Sequence, residues 1–171
     1  MSATGIDLGP LGSGGEDGPA ATLRAAREAV IAEHIRAEMA GDLDAVLATF
    51  PGGATYSVIP LGHDHNGDDE VRDLLAGLVA AFPDLTLRPL RVFHASDAVI
   101  VEGRMSGRQR ADWGGIAAAG RIMDLPAALI FRFDGGRLTN ETVYYDHLSA
   151  VTQLSGPQAA EPGVTKPSMA G

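Results

Sequence analysis

The main change in the spacing of apolar residues along this chain is at Pro83-Asp84. Before that point apolar residues recur every three or four positions, most clearly over residues 71–82, which predicts amphipathic helices. After it they alternate with polar residues as far as Asp146, which predicts strands. Successive strands joined by short turns pair as an antiparallel meander. We therefore expect an α+β fold in which helices pack on one face of a curved antiparallel sheet.

The predicted order of elements is two helices, a strand, a third helix, four long strands and a closing helical turn. Gly41 is expected to end the first helix, Asp42 to cap the second, and Asp68 or Asp69 to cap the third. The apolar positions change parity at Pro89, which predicts a bulge. The predicted helices start at residues 23, 43 and 69, the strands cover 55–61, 85–94, 98–106, 121–133 and 137–146, a polar loop covers 62–67, and the last turn covers 148–154.

Both ends of the chain are rich in Gly, Pro and other small residues. Residues 1–20 and 156–171 are therefore expected to be disordered tails. This leaves one domain over residues 21–155, which is long enough to bury a core of its own.

Composition excludes several kinds of partner. The formal net charge of −9 repels a phosphate backbone, so we expect no nucleic-acid partner. No apolar run approaches the roughly 20 residues that span a bilayer, and the first residues lack the basic start and apolar centre of a signal peptide. The chain has no cysteine, so disulfide and thiolate chemistry are absent. These features predict a cytoplasmic protein with no membrane partner.

Five segments carry a family resemblance by their order and spacing over residues 23–155. They are Tyr56-Ser57-Val58-Ile59-Pro60 leading to His65-Asn66-Gly67, Phe82-Pro83-Asp84-Leu85, Gly115-Ile116 followed by Gly120-Arg121, the run from Ile130 to Leu138, and the run from Glu141 through Asp146 to Leu154. Together they resemble the SnoaL-like polyketide cyclase (ester cyclase) branch of the nuclear transport factor 2-like superfamily. One departure stands out: Gln109 occupies a position at which many relatives carry a histidine.

The resemblance implies a cone-shaped fold, the cystatin-like α+β barrel, with a pocket on the concave face of the sheet. It also implies a homodimer, a small-molecule substrate and no cofactor. In the cyclases an aspartate near the end of the last strand is the acid/base of an intramolecular aldol closure, and by position that residue is Asp146. The implied activity is thus cyclisation or isomerisation of an apolar carbonyl compound. A non-catalytic ligand-binding module is the alternative on the same fold.

Asp146 and His65 are the predicted catalytic residues. A carboxylate desolvated by an apolar pocket gains the raised pKa that removal of a proton next to a carbonyl requires. The alternative role of Asp146 is the N-cap of the closing helical turn. His65 could exchange a proton with a substrate oxygen, or it could be an exposed loop histidine. His63, Asp64 and His65 form a weak metal-ligand pattern, and we predict no metal there.

Seven further residues are predicted to bind substrate. Glu102 and Arg104 share a strand face near Asp124, which could activate water for epoxide opening as in the limonene epoxide hydrolases, or form an ion pair on the convex face. Aromatic residues could shape the pocket or simply pack in the core, and Gly114-Gly115 could let the Trp113 loop move as a lid. The complete set is Tyr56, His63, Trp113, Tyr144, Glu102, Arg104 and Asp124. His34 and His94 are predicted to be structural, and His147 to point away from the pocket.

Overall fold

The computed structural model describes residues 19–156 and contains four α-helices and six strands. The helices are α1 (Pro19–Ala40), α2 (Leu43–Ala48), α3 (Asp68–Ala81) and α4 (His147–Ser155). Gly41, with φ of 68°, ends α1 as predicted, and Asp42 caps α2 by accepting a hydrogen bond from the Ala45 amide. The predicted tails lie outside the described residues, apart from the residues at which α1 begins and Gly156. None of the described helices is long and apolar enough to cross a membrane.

The strands form one curved sheet in the order β2-β1-β6-β5-β4-β3. They are β1 (Thr55–Val58), β2 (His63–Asn66), β3 (Thr86–His94), β4 (Ala98–Arg108), β5 (Ile122–Asp134) and β6 (Arg137–Tyr145). The four long strands β3 to β6 pair as the predicted antiparallel meander. The register of β3 against β4 shifts between Pro89 and Arg91, which confirms the predicted bulge.

Four local predictions were wrong. The strand predicted over residues 55–61 ends at Val58, and Ile59–Leu61 form a short 3-10 helix. Residues 63–66 were expected to be loop, but they form the short edge strand β2, paired with β1. The sheet is mixed rather than wholly antiparallel, because β1 runs parallel to β6. The third helix has Gly67 as its N-cap, since the Asp68 carboxylate is engaged elsewhere and accepts a hydrogen bond from the Ala54 amide.

The helices cover the concave face of the sheet and form the core with it. Alternate residues of β4 to β6 point inward and are buried, among them Val101, Met105, Leu129 and Val143. Arg27 of α1 is buried and donates hydrogen bonds to the carbonyl oxygens of both the β3–β4 and the β5–β6 turns. This contact fixes α1 across the sheet and thereby positions the polar residues on its next turns.

Candidate functional site

A small apolar cavity lies between α1, α3 and the concave face of the sheet. Its volume is about 50 Å³. Its walls are mostly Leu, Val and Met side chains from α1, α3 and the strands β1, β3, β4, β5 and β6. Its polar groups belong to Glu38, Tyr56, Tyr145 and the indole nitrogen of Trp113. The lining residues are Glu38, Met39, Tyr56, Val58, Leu61, Leu74, Leu75, Leu78, Leu85, Leu87, Met105, Trp113, Leu129, Val143 and Tyr145.

Glu38 is a buried carboxyl group at the wall of this cavity. It is 6% exposed, and its Oε1 accepts a hydrogen bond of 3.3 Å from the hydroxyl of Tyr56, which is 4% exposed. Burial raises the pKa of Glu38 to about 7, with a further contribution from the charge of Glu141 that His34 and Tyr56 offset only in part. The carboxyl therefore titrates near neutrality, where a general acid/base works best.

Behind Glu38 lies a second buried pair, His34 and Glu141, neither of which is exposed. Parallel pairing puts Glu141 of β6 directly beside Tyr56 of β1, and His34 lies one helical turn before Glu38 on α1. His34 Nε2 is 2.7 Å from Glu141 Oε2, and Nδ1 is 2.7 Å from Thr49 Oγ1. Burial alone lowers the pKa of His34, but the carboxylates of Glu141 and Glu38 outweigh it and raise the pKa.

The same three residues are the set that could hold a metal ion within the described range. The ligand atoms of His34, Glu38 and Glu141 lie within 4.8 Å of one another. His34 Nε2 and Glu141 Oε2 form an ion-pair contact of 2.7 Å, although neither atom has a partner with hydrogen-bond geometry among the described residues. Two atoms that each bind a zinc ion at about 2.1 Å in tetrahedral geometry lie more than about 3 Å apart. The observed contact of 2.7 Å is therefore shorter than two ligands of one tetrahedral zinc ion allow.

Tyr145 and Trp113 close the other side of the cavity. The hydroxyl of Tyr145 is buried and has no hydrogen-bond partner among the described residues. Burial raises the pKa of Tyr145, so the group stays a protonated donor. The Trp113 ring lies 5.4 Å from Phe82 and 5.6 Å from Tyr145, between centroids. A ligand oxygen in the cavity would give the Tyr145 hydroxyl the partner that it lacks.

Trp113 is held by a tight hairpin. Gly114 and Gly115 both have positive φ, of 56° and 78°, which is the backbone of a type I′ turn and brings Trp113 opposite Ile116. Gln109 is fully buried beneath this hairpin and donates to the carbonyl oxygen of Ile116. It does not line the cavity. The residue that stands in place of a family histidine thus fixes the loop that carries Trp113.

Asp146 does not face the cavity, which corrects its expected position. It is exposed and is the N-cap of α4, accepting hydrogen bonds from the amides of Leu148 and Ser149. The Ser149 hydroxyl is the largest contributor to lowering its pKa, the opposite of what a general base in an apolar pocket requires. It lies an even number of residues after Thr142 and Tyr144, whose side chains are on the convex face of the sheet. Asp146 therefore has the alternative role predicted for it, the N-cap of the last helix.

The two histidines of β2 lie at the edge of the sheet. His65 is the register partner of Tyr56 and His63 that of Val58, so both side chains are on the concave face. Their rings are 5.9 Å apart. His65 is half-buried, and its Nε2 has no hydrogen-bond partner among the described residues, whereas His63 is exposed. Neither residue lines the cavity, so they flank the site of Tyr56 and Glu38.

The predicted epoxide-opening trio lies on the convex face. Arg104 forms an ion pair of 2.9 Å with Asp124, and Glu102 contacts Arg91 at 3.4 Å. Tyr144 is 43% exposed on the same face, so it belongs to this surface rather than to the cavity. Inward positions of β4 alternate with these outward ones, which excludes a shared pocket with Glu38. The predicted homodimer, for which this face is available, stays a prediction.

The sequence analysis missed Glu38 and Glu141 and treated His34 as structural. One signal was available: His34 and Glu38 are four residues apart on a helix whose neighbouring face is apolar. The other was Glu141, a charged residue at an inward position of the alternating strand that ends in Tyr145. Two charges at core positions on separate elements indicate a buried cluster, because an unpaired buried charge is costly.

Comparison with known proteins gives a family match. The family model described as SnoaL-like domain matches residues 31–141, about two thirds of the chain. A search of curated proteins finds no match.

Solved structures with the same fold are numerous. A protein from Jannaschia sp. CCS1, described as a SnoaL-like polyketide cyclase, superposes with a TM-score of 0.71 at 20% identity over 78% of this chain and 94% of that one. AclR from Streptomyces galilaeus, described as a hydroxylase, superposes with a TM-score of 0.65 at 18% identity over 81% and 86%. A Catenulispora acidiphila protein with a ketosteroid isomerase-like fold, bound to trimethylamine, superposes with a TM-score of 0.64 at 20% identity over 75% and 93%. Identities at this level show the fold alone.

Proposed function

Because the chain belongs to the SnoaL-like domain family, we propose that it is a small-molecule enzyme that moves a proton on an apolar carbonyl compound. One observation carries the proposal: Glu38 is a buried carboxyl group, with a pKa of about 7, at the wall of a mostly apolar cavity. The reaction class is isomerisation or intramolecular aldol cyclisation. In this proposal Glu38 takes the role that the family resemblance assigned to Asp146.

The substrate oxygen would face the opposite wall. When Glu38 removes a proton from the carbon beside a carbonyl, the electron pair of that bond moves to the carbonyl oxygen and forms an enolate. The buried hydroxyl of Tyr145, which lacks a partner within the described residues, can donate to this oxygen as its charge develops. The Tyr56 hydroxyl is already committed to Glu38 and orients the carboxylate.

The second half of the reaction returns the proton. In an isomerisation the protonated Glu38 delivers it to another carbon of the enolate. In a cyclisation the enolate carbon attacks a second carbonyl carbon of the same molecule, and the new alkoxide takes up the proton. Both routes leave Glu38 ionised and need no outside oxidant or reductant.

The proposal is tested by hydrogen exchange on enolisable aryl ketones in D₂O. The protein is expected to speed exchange at the carbon beside the carbonyl, with a pH profile that rises through the pKa of Glu38. Glu38→Gln should abolish the enhancement, since an amide is not a base, while Asp146→Asn, a matched change on the outside, should retain it. Ketones that bind without exchange would instead indicate a ligand-binding module, and full exchange in Glu38→Gln would remove Glu38 from the mechanism.

A further inference from the structure

The hydrogen on one nitrogen of His34 can be assigned from its neighbours. The Thr49 hydroxyl lies 2.6 Å from the carbonyl oxygen of Val46 and donates its single proton there, since two oxygens at that distance repel without one. Thr49 Oγ1 can therefore only accept from His34 Nδ1, which is 2.7 Å away. It follows that Nδ1 carries a hydrogen.

The other ring nitrogen of His34 faces a carboxyl group. A neutral imidazole with its hydrogen on Nδ1 has only a lone pair on Nε2, and an ionised carboxylate has only lone pairs as well. Nε2 and Glu141 Oε2 are nonetheless 2.7 Å apart and fully buried. Two acceptors would repel strongly in such a weakly polarisable site. The pair must therefore hold one more proton, on the ring or on the carboxyl group.

We propose that His34 and Glu141 are a positioning pair that shares one proton and thereby keeps Glu38 able to take up and release a proton near neutral pH. The pair is neutral overall whichever partner holds the proton. Without that proton, Glu141 would place an uncompensated negative charge beside Glu38 and keep it protonated. The proposal rests on the proposed function for the role of Glu38. The number of protons on His34 and Glu141 does not depend on a substrate.

Among the described residues, no other charged group near His34 and Glu141 could balance the charge of Glu141. Glu38 on α1 and Tyr56 on β1 are the titratable groups that face it, and Tyr56 is held protonated because burial, first, and then Glu141 and Glu38 raise its pKa. Phe50 and Phe131 contact the His34 ring edge-on, with centroids 5.2 Å and 5.7 Å away. No lysine or arginine contact to these carboxyl groups occurs among residues 19–156.

NMR on the full chain counts the proton directly. With ¹⁵N-labelled histidine and ¹³C-labelled glutamate, we expect His34 at neutral pH to have a protonated Nδ1 together with either a protonated Nε2 or a protonated Glu141. A bare Nδ1 with the hydrogen on Nε2 and an ionised Glu141 would overturn the proposal. So would a ring signal that changes on addition of a chelator, because a metal ion would then occupy the place of the proton.

Thr49 offers a matched pair of variants that leave both titratable residues in place. Thr49→Val removes the acceptor for Nδ1, so the ring can adopt the other tautomer and donate from Nε2 to Glu141 without the additional proton. Thr49→Ser keeps the hydroxyl and should behave like the original protein. We expect the shared proton to be lost near neutral pH in Thr49→Val alone. An unchanged proton count in Thr49→Val would contradict the assignment.

The effect on Glu38 separates a charge role from a merely structural one. His34→Gln should move the titration midpoint of the Glu38 carboxyl, followed by its ¹³C shift, upward by about 1 to 3 pH units, because the negative charge of Glu141 is then no longer balanced by the ring. No shift, or a downward shift, would overturn the positioning role. Failure of ketone exchange in the unmodified protein would instead count against the proposed function, with these titrations unaffected.

Discussion

Tyr56 and Glu141 are register partners across the parallel pair β1–β6, which places a phenol and a carboxyl group side by side on the concave face of the sheet. Helix α1 adds His34 and Glu38 over the same spot. Four polar side chains from three elements thus meet in an interior that is mostly apolar. Because burial disfavours charge, the protonation of this cluster must respond to pH and affect the free energy of unfolding.

Stability should fall with rising pH because of Glu38. Its pKa of about 7 in the folded protein lies above the ordinary value of 4.5, so between these pH values the folded protein binds more protons than the unfolded chain. The contribution of Glu38 to the free energy of unfolding is fully present below pH 4.5 and is lost as the pH rises through 7. The difference corresponds to roughly 3 kcal/mol. Urea unfolding at pH 5 and pH 8 measures it.

Glu38→Gln is the control for this pH dependence. The amide keeps the shape of the side chain and cannot titrate. Between pH 5 and pH 8 the variant should therefore lose about 2.5 kcal/mol less stability than the original protein, since part of the effect is already present at pH 5. Equal slopes for the two proteins would show that Glu38 titrates normally, and the acid/base proposal would lose its basis.

The two tyrosines of the cavity should respond differently to loss of the hydroxyl. Tyr56→Phe removes a hydrogen bond to Glu38 and should cost about 1 kcal/mol of stability. Tyr145→Phe removes a buried hydroxyl that has no partner among the described residues, so its stability should be unchanged or slightly higher. Ketone exchange should nevertheless fall about 100-fold in Tyr145→Phe if its hydroxyl donates to the enolate. Thermal unfolding together with exchange rates checks both, and a clear loss of stability in Tyr145→Phe would reveal a partner for its hydroxyl.

The sequence predicted the fold well because its periodicity is local information. Three features depend on neighbours only a few residues away. They are the apolar face of α3, the alternation of buried and exposed residues in β4 to β6, and the end of α1 at Gly41. The site depends on non-local pairing. Glu38 and Glu141 are about a hundred residues apart, and they meet because α1 packs over β6. Tyr56 joins them because β1 runs parallel to β6, a pairing that the meander pattern does not reveal.

The error at Asp146 has a similar origin. A strand position has two faces, and a shift of one residue moves a side chain from the cavity to solvent. Tyr145 points inward and ends the strand, so the next residue is free to cap α4. The alternation of apolar and polar residues did not show which set of alternate positions faces the concave side of the sheet.

Asp146 should therefore matter for stability and not for chemistry. Asp146→Ala removes the acceptor for two amides at the start of α4 and should cost about 1 kcal/mol. Asp146→Asn, which caps nearly as well, should cost much less. Chemical unfolding of the two variants measures this difference. Both should retain ketone exchange, and its loss in Asp146→Asn with stability preserved would restore the catalytic role that the family resemblance implied.

Trp113 should control which substrates the cavity accepts. Its ring contacts Phe82 and Tyr145 and forms part of the wall of a cavity of only about 50 Å³. Trp113→Ala enlarges this space while leaving Glu38 and its hydrogen bond from Tyr56 untouched. We expect exchange to increase for naphthyl ketones relative to phenyl ketones, at the cost of about 2 to 4 kcal/mol of stability because packing contacts are lost. Trp113→Phe, which keeps a ring in place, is the matched control and should show a smaller change in preference. An unaltered ratio of the two exchange rates in Trp113→Ala would mean that ketones do not react in this cavity.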